Sequence, residues 1–282
     1  MQPHHVQQKT QEWSRLRALH FTASTIGAFA VEPVAVALTV KEICAELEIL
    51  GIPHKKTEKK ETLLALLPDP GAYAKLLPAA RNAILGRIQA AKIQAIRDRH
   101  PEDRTEWDTQ QLEWAEEKEA AEEKKLSYNL DIRRGNLLEP LARAYYEERM
   151  AAKVHEIGFV SHDFGGFGCS PDGLISFAAN GDFTHGLEIK CPSNEVHNGY
   201  LLDGVLPSDY ELQVHMSMAV TGLPRWDFLS FCPGEAQFLI SVERTEFTDR
   251  LEEGLKTLVL EKAKIENELA ARWAAEYEGG AK

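Results

Sequence analysis

The sequence predicts a mixed α/β domain that carries a large helical insertion, and three observations lead to this fold class. Residues 128–245 alternate between helical and strand patterns, in the order helix, three strands, helix and further strands. Residues 39–127 have helical periodicity almost throughout, and residues 248–277 form one more amphipathic helical pattern. A compact core of helices and strands with helical additions accommodates all three.

The N-terminal half is predicted to be mainly helical. A short helical pattern in residues 11–30 ends at Phe-Thr-Ala-Ser, residues 21–24. Thr39 and Glu42 have the spacing of a capping box, and the Gly-Ile-Pro at residues 51–53 ends the helix that they begin. Further helices are expected at about residues 59–67, 73–99 and 104–125.

From residue 128 the pattern changes, which predicts the α/β core. A helix over residues 128–150 places Leu137, Leu138, Leu141 and Tyr145 on one face. Strands and helices then follow from period-two and helical patterning respectively. The expected strands are 154–160, 167–175 (with a turn), 186–191, 225–231 and 237–242, and the expected helices are 207–220 and 248–277.

The composition is that of a soluble globular protein. The 282 residues are 44% hydrophobic and 27% charged, which excludes a wholly disordered or collagen-like chain. No run approaches the roughly 18 apolar residues of a membrane span, and the N-terminus has no signal-peptide pattern. The four cysteines are widely spaced without a CxxC pair, so we expect reduced thiols and a cytoplasmic location.

The formal net charge of −12 argues at first against a nucleic-acid partner, because such partners are usually bound by basic surfaces. The charge is unevenly distributed. Residues 1–100 are net basic, whereas residues 101–127 contain ten acidic and four basic side chains. This acidic run is predicted to be an exposed helix, so the net charge alone does not exclude DNA.

Three charged residues in the predicted core suggest a catalytic site. Asp172 follows Ser-Pro and precedes a glycine, as expected at a strand bend, while Glu188 and Lys190 are two apart on one apolar strand. Side chains two apart on a strand point to the same face. Burying a carboxylate and an ammonium costs several kcal/mol unless they pair or bind metal. The alternatives are therefore a cleft or an ordinary Glu–Lys pair on a surface strand.

A cleft containing these residues could carry out metal-assisted phosphodiester hydrolysis. The Asp172 and Glu188 carboxylates, with the Ile189 carbonyl, supply hard oxygen ligands for one or two divalent cations. Such a cation polarises a phosphoryl oxygen and lowers the pKa of a bound water. Lys190 would orient that water or stabilise charge on the phosphate.

The residues around this site resemble a known nuclease family. Pro171-Asp172 with Glu188-Ile189-Lys190 matches the PD-(D/E)xK signature, which implies a restriction-endonuclease-like core of a central mixed sheet flanked by helices. The longer strings at 169–174 and 186–192 resemble the lambda exonuclease, or YqaJ-like viral recombinase, branch. Three further segments resemble that branch and occur in its order: residues 13–24, 134–142 and 210–218.

The resemblance implies a role for each matching residue. Arg17 would receive a 5′-terminal phosphate, assisted by Ser24, although a surface salt bridge is the alternative for Arg17. Glu139 would complete the metal site directly or through water, unless it is an ordinary surface glutamate. Gln213 would support the active site or the DNA backbone, with a simple buried amide as the alternative.

The domain organisation departs from the family pattern in one respect. Residues 1–31 and 128–282 are expected to form the nuclease core, and residues 32–127 a helical insertion. Within the insertion, residues 39–67 resemble a SAP-like DNA-binding helix–loop–helix. Its lysines could contact phosphates, or it could be a structural helical pair with a solvated lysine cluster. These lysines are Lys55, Lys56, Lys59 and Lys60.

Together the motif and the resemblance predict a metal-dependent 5′→3′ exonuclease that acts on linear double-stranded DNA, releases mononucleotides and leaves 3′ overhangs. The resemblance implies Mg²⁺ or Mn²⁺, with two ions per site, and a homotrimeric ring enclosing DNA. It also implies a single-strand annealing protein as partner and a phage or prophage origin in a bacterial cytoplasm. The alternatives are a PD-(D/E)xK endonuclease of restriction or repair, and a DNA-end-binding protein without catalysis.

Overall fold

A computed structural model describes most of the chain and confirms the predicted mixed α/β class. The residues that it describes are 1–23, 35–36, 43–44, 53, 55, 59, 62–63, 75–76, 78–127, 129–177 and 182–278. Ser24 and nearly all of the SAP-like segment at 39–67 lie outside these residues.

Strands and helices alternate along the second half of the chain, as predicted. The described strands are β1 Gln2–His4, β2 Ala35–Val36, β3 Lys75–Leu76, β4 Lys153–His155, β5 Phe159–Ser161, β6 Gly168–Cys169, β7 Gly173–Ser176, β8 His185–Lys190, β9 Arg225–Ser230 and β10 Phe238–Glu243. The described α-helices are α1 Gln11–Leu19, α2 Pro78–Asp98, α3 Glu106–Ser127, α4 Leu130–Met150, α5 Asn194–Asp203, α6 Ser208–Thr221 and α7 Glu246–Glu278. Over these residues, no helix combines the length and apolarity needed to cross a membrane.

The central sheet has five strands in the order β10-β9-β8-β7-β4. Strands β8 and β9 are parallel, and the other neighbouring pairs are antiparallel. Strand β8 therefore has a hydrogen-bonded neighbour on each side. A second, smaller sheet has the order β1-β5-β6, and β2 pairs with β3.

Helices cover both faces of the central sheet. On one face, Ala142 and Tyr146 of α4 pack against Ile175, Leu187 and Leu229. Alternate residues of the same strands point to the other face. There α6 and α7 complete the main core, which includes Leu174, Val214, Met218, Trp226 and Leu255.

Gly186 lets the core approach β8 closely, two residues before Glu188. A Cβ atom at Gly186 would lie 2.2 Å from the indole ring of Trp226, which is its partner in the β8–β9 register. The ring is fully buried. A side chain at this position would therefore displace Trp226 from the core.

A buried polar cluster lies on the α4 face of the sheet. The hydroxyl of Tyr146 donates to Asp227 Oδ2 over 2.6 Å, and Ser241 donates to Asp227 Oδ1 over 2.7 Å. A ring nitrogen of His185 lies 3.3 Å from Asp227 Oδ2. Arg225 Nε lies 3.3 Å from Asp227 Oδ1, so a carboxylate with no exposed surface is surrounded by donors.

One predicted strand, residues 154–160, is two strands in the structure. β4 pairs with β7 in the central sheet, whereas β5 pairs with β1 and β6 in the small sheet. The chain changes sheets at Gly158, where a Cβ atom would lie 1.6 Å from the Val6 carbonyl oxygen. The N-terminal segment packs so closely here that only glycine fits.

Several of the described elements were not predicted from the sequence, among them β1 and α5. β1 is a short polar edge strand that contains Pro3, and neither feature signals a strand. α5 has little apolar periodicity, although Ser193 accepts a hydrogen bond from Val196 N–H as its N-cap and Gly204 ends it in a left-handed conformation. Helix α2 also begins at residue 78, five residues later than predicted, because Lys75–Leu76 pair as a strand with Ala35–Val36.

Candidate active site

The turn before β7 brings Asp172 onto the middle of the Glu-Ile-Lys segment of β8. Pairing of Gly173 with Leu187 sets the register, and the last residue of the Ser-Pro-Asp turn lies just beyond this ladder. Asp172 Oδ2 accepts a hydrogen bond of 2.7 Å from the backbone N–H of Ile189. Residues 17 apart in sequence are thereby joined, and Asp172 lies beside both Glu188 and Lys190.

Glu188 and Lys190 lie on one face of β8, on the side of α6. The Lys190 ammonium contacts Glu188 Oε1, and Gln213 Nε2 of α6 donates to the same oxygen over 2.7 Å. Glu188 is only 1% exposed. Its other oxygen, Oε2, is buried and has no hydrogen-bond partner among the described residues. One side of this carboxylate is thus free to bind a ligand.

The electrostatics of the three residues reflect excess buried negative charge. Burial raises the pKa of Asp172, as do the neighbouring Glu188 and Glu139 carboxylates, to about 8. Burial opposes the charging of Lys190, but Glu188 and Asp172 outweigh it and raise the pKa of the ammonium. Among these three residues a single lysine faces two carboxylates, so an additional cation would be stabilised beside Asp172 and Glu188.

Glu139 lies next to Asp172 in the same cleft, and basic side chains occupy both of its oxygens. Arg143 Nη2 is 2.9 Å from Glu139 Oε1 and 3.4 Å from the Asp172 carbonyl oxygen. Lys9 Nζ is 3.1 Å from Glu139 Oε2. The structure therefore brings Glu139 to the site, with its carboxylate directed at these two cations.

Arg17 reaches the cleft from the last turn of α1. Its guanidinium lies over the ring of Trp13, 4.5 Å from the ring centre. Trp13 Nε1 donates to the Gly158 carbonyl oxygen over 3.0 Å and to Ser170 Oγ over 2.9 Å, which fixes the indole. Burial lowers the pKa of Arg17, although Cys169 and Glu188 counteract this effect.

These side chains share a cleft of about 540 Å³. Its lining includes Arg17, Glu139, Asp172, Glu188, Ile189, Lys190 and Gln213, which are the predicted site residues other than the undescribed Ser24. Sequence reasoning assigned no role to several further lining residues, among them Gln8, Lys9, Asn136 and Tyr210. Lys190 Nζ lies 5.1 Å from the centre of the Tyr210 ring. Tyr210 and Asn136 lie inside the matching motif strings, but nothing in the sequence connects Gln8 or Lys9 with their partners, which are 127 to 163 positions away.

The donor set fits a hard divalent cation. Glu188 Oε2 is a buried carboxylate oxygen without a partner, and Asp172 has one oxygen engaged by Ile189 N–H. Carboxylate oxygens are the ligands that Mg²⁺ and Mn²⁺ prefer. Within the described part of the chain, no group of three His, Cys, Asp or Glu side chains is placed to hold a metal. Two carboxylates therefore form the centre of the candidate site.

Comparison with solved structures identifies proteins of the same fold. Two crystal structures of the alkaline exonuclease LHK-Exo from Laribacter hongkongensis, one in complex with dAMP, match with a TM-score of 0.54 and 23% identity. The match covers 95% of this chain and 100% of LHK-Exo. No curated protein sequence matches the chain.

At 23% identity these structures show only a shared fold, whereas a family model assigns the chain to a family. The model of the YqaJ-like viral recombinase domain matches residues 80–224, slightly more than half of the chain. This segment begins in α2 and contains Glu139, Asp172, Glu188 and Lys190. The chain therefore belongs to the YqaJ-like viral recombinase domain family.

Proposed function

We propose that this protein is a metal-dependent exonuclease that degrades one strand of linear double-stranded DNA in the 5′→3′ direction. It would release mononucleotides and leave 3′ overhangs for recombination by single-strand annealing. The observation that carries the proposal is the buried pair of Asp172 and Glu188 beside Lys190, with Glu188 Oε2 unsatisfied. Membership of a viral recombinase family and a fold shared with an alkaline exonuclease support it.

The metal centre would use the Asp172 and Glu188 carboxylates and the Ile189 carbonyl, with Glu139 contributing directly or through water. We propose Mg²⁺, with Mn²⁺ as a substitute and two ions per site. When bound, such an ion polarises the phosphoryl oxygens and supplies a hydroxide-like nucleophile near neutral pH. Such a cation would give the unsatisfied Glu188 oxygen a partner. It would also favour the ionised form of Asp172, whose pKa is raised in its absence.

The neighbouring side chains have separate tasks in the proposed hydrolysis. Lys190 stays protonated, because Glu188 and Asp172 raise its pKa, and so offers a positive charge to the scissile phosphate. Gln213 holds Glu188 Oε1 from α6, which leaves Oε2 as the carboxylate oxygen without a partner among the described residues. The Asp172 carboxylate is oriented by Ile189 N–H.

Strand polarity would depend on the phosphate at the 5′ end. Arg17 lines the cleft and is near enough to Glu188 to feel its charge. A guanidinium can bind phosphate oxygens with two parallel hydrogen bonds. We propose that Arg17, with Ser24, binds the terminal 5′-phosphate while the scissile phosphate lies at Asp172 and Glu188.

We propose that the protein assembles as a homotrimer and acts with a partner. A homotrimeric ring would present basic side chains to a central channel, which suits an acidic protein that holds DNA. A single-strand annealing protein would receive the 3′ overhang. The segment at residues 39–67 would add phosphate contacts through its lysines.

A degradation time course tests the activity. Linear duplexes with 5′-phosphate or 5′-hydroxyl ends and a closed circular duplex are incubated with Mg²⁺, and parallel reactions contain EDTA. We expect mononucleotide release from linear DNA only, fastest with 5′-phosphate, and none with EDTA. Arg17→Ala should lose the preference for 5′-phosphate while retaining hydrolysis of 5′-hydroxyl ends.

Arg81→Ala is the matched control, since Arg81 is an exposed arginine of α2 outside the cleft lining. Cutting of the circle as fast as the linear duplex would identify an endonuclease instead. DNA-end binding without hydrolysis under any metal would identify a binding protein. An unaltered end preference in Arg17→Ala would remove Arg17 from the phosphate site.

A further inference from the structure

The N-terminal segment holds Lys9 at the rim of the cleft by fixing both of its neighbours. Gln8 Nε2 donates to the Pro171 carbonyl oxygen over 2.8 Å, next to Asp172. Thr10 is the N-cap of α1 and accepts a hydrogen bond from Trp13 N–H. The backbone of Lys9 is therefore tied on one side to the active-site turn and on the other to α1.

Lys9 has an unfavourable backbone conformation for a residue with a side chain. Its φ is +66°, in the left-handed region that glycine tolerates best. Among the described non-glycine residues, only Lys9 and Ala151 have a positive φ. Such conformations persist where the surrounding structure enforces them, and they concentrate at functional sites. The strained backbone therefore draws attention to what the Lys9 side chain contacts.

The ammonium of Lys9 is bound to two residues of α4. It donates to Asn136 Oδ1 over 2.7 Å and lies 3.1 Å from Glu139 Oε2. Arg143 holds the other oxygen of Glu139 at 2.9 Å. Both oxygens of Glu139 are therefore engaged by cations of the chain itself.

The two cations differ in their freedom to leave. The side chain of Arg143 is 12% exposed and also bonds Glu156, whereas that of Lys9 is 48% exposed. A half-exposed ammonium on a flexible stem is weakly held and easily rehydrated. Lys9 can therefore leave Glu139 Oε2 more easily than Arg143 can leave Oε1, which makes Oε2 the oxygen that another cation can reach. Asp172 feels the charge of Glu139 as well as that of Glu188, so an ion near Asp172 would be drawn towards both.

We propose that Lys9 is a positioning residue that competes with a divalent cation for Glu139. In the free protein one ion binds tightly at Asp172 and Glu188, and a second binds weakly because Lys9 must first leave Glu139. Lys9 thus sets the metal occupancy of the cleft. This inference rests on the proposed metal-dependent function and adds a residue that the motif does not contain.

Titration with Mn²⁺ alone, without DNA and at fixed pH, tests the competition. Free Mn²⁺ is followed by electron paramagnetic resonance, so that the readout is independent of activity. We expect the wild type to bind one ion tightly and a second about tenfold or more weaker. Lys9→Gly should tighten the second ion about five- to tenfold, since it removes one partly exposed, charged hydrogen-bond donor. Lys9→Arg should restore the wild-type isotherm because it keeps the cation.

Three controls separate this effect from folding and general electrostatics. Glycine suits the left-handed backbone of Lys9, so Lys9→Gly should melt within about 3 °C of the wild type. Ala151→Gly makes the same backbone change at the other described non-glycine residue with a positive φ, and should leave Mn²⁺ binding unchanged. Lys256→Ala removes one positive charge that pairs with Glu252 and Glu253 outside the cleft lining, and should also have no effect.

The outcomes are distinguishable. If the wild type binds two ions equally tightly, or if Lys9→Gly leaves the isotherm unchanged, the competition is wrong and the metal-dependent nuclease stands. If the wild type and all variants bind no Mn²⁺, the proposed metal-dependent function fails together with the competition. A tighter second ion in both Lys9→Gly and Lys256→Ala would be a general charge effect and would also overturn the role of Lys9.

Discussion

The two oxygens of Glu188 have opposite surroundings, and this difference indicates how the site operates. Oε1 is held by Lys190 and Gln213, whereas Oε2 is buried without a partner among the described residues. A buried carboxylate oxygen left unsatisfied costs about 1–3 kcal/mol. The chain tolerates this cost at a residue whose carboxylate would bind a cation, which is the pattern expected of a binding site.

Replacing Lys190 tests whether the ammonium acts in hydrolysis. Lys190→Ala should lower the rate of hydrolysis on the order of 100-fold or more, because a positive charge next to the scissile phosphate is lost. DNA binding measured in EDTA by fluorescence anisotropy should change by less than about threefold, since the other cleft residues remain. Asp172→Ala should abolish hydrolysis, because it removes a proposed metal ligand, and should leave DNA binding in EDTA unchanged.

Lys256→Ala is the control, because its ammonium pairs with Glu252 and Glu253 on α7 outside the cleft lining. It should hydrolyse DNA at the wild-type rate. Near-normal hydrolysis by Lys190→Ala would refute the assigned role. Equal loss of binding and hydrolysis would instead indicate that Lys190 binds the substrate and takes no special part in catalysis.

The shared strand face of Glu188 and Lys190 could be predicted from the sequence, because a local rule governs it. The i, i+2 spacing predicts that Glu188 and Lys190 share a face of a strand, and the structure confirms it. Gln8 and Lys9 could not be found in the same way. They reach Pro171 and Glu139 through the path of the N-terminal segment across the small sheet, and no local pattern predicts a contact across 130–163 positions.

At the scale of elements, strand β8 carries different chemistry on its two faces. Glu188 and Lys190 face α6, while His185 joins the buried cluster of Tyr146 and Asp227 beneath α4. Burial alone would raise the pKa of Asp227. Hydrogen bonds from His185, Tyr146 and Ser241 outweigh this effect and hold that pKa below its usual value. The cluster therefore stabilises the fold only while Asp227 is ionised.

This cluster predicts the acid sensitivity of the fold. Because the pKa of Asp227 is lower in the folded than in the unfolded state, its stabilisation is complete above the unfolded value, about 3.9, and is lost as pH falls through the folded value. Asp227→Asn should lower the free energy of unfolding by about 3 kcal/mol near pH 7. The free energy of unfolding of this variant should also decrease less than that of the wild type as the pH is lowered. Urea denaturation between pH 2.5 and 7, followed by circular dichroism, measures both.

Asp249→Asn provides the control, since Asp249 is exposed and pairs with Arg244 at the surface. This substitution should lower the free energy of unfolding by less than about 1 kcal/mol. An equal loss in both variants, or an unchanged acid slope in Asp227→Asn, would show that the buried cluster does not control acid stability.

Most element boundaries were predictable, and the failures discussed below have two causes. Strands β7 to β10 and helices α4, α6 and α7 follow hydrophobic patterns set by burial on the central sheet. The predicted strand at 154–160 failed because Gly158 redirects the chain between two sheets, a tertiary event without local periodicity. α5 and β1 were missed because neither has an apolar face for a pattern to reveal.

At the scale of the whole molecule, the net charge of −12 says little about the cleft. Charges of both signs line it. The acidic side chains are Asp131, Glu139, Asp172 and Glu188, and the basic ones are Lys9, Arg17, Arg134 and Lys190. Divalent cations would convert this balanced lining into a net positive one, which a phosphate backbone could enter. The acidity of the chain is therefore compatible with a nucleic-acid enzyme.

The position of β8 within the central sheet has a consequence for how the protein fails on heating. Its backbone is bonded to β7 on one side and β9 on the other, beneath helices on both faces. Amides in such a strand exchange with solvent only when the whole domain opens. We expect Leu187 to be among the slowest amides in a deuterium-exchange experiment, and Lys9 among the fastest.

The arrangement of the residues proposed for hydrolysis would then be lost only when the whole domain unfolds. Activity and the near-ultraviolet circular dichroism signal should therefore disappear at one temperature. Inactivation well before that temperature would place the weak point elsewhere. In that case we expect the N-terminal segment that carries Lys9 to detach first, since it reaches the cleft from the edge of the small sheet.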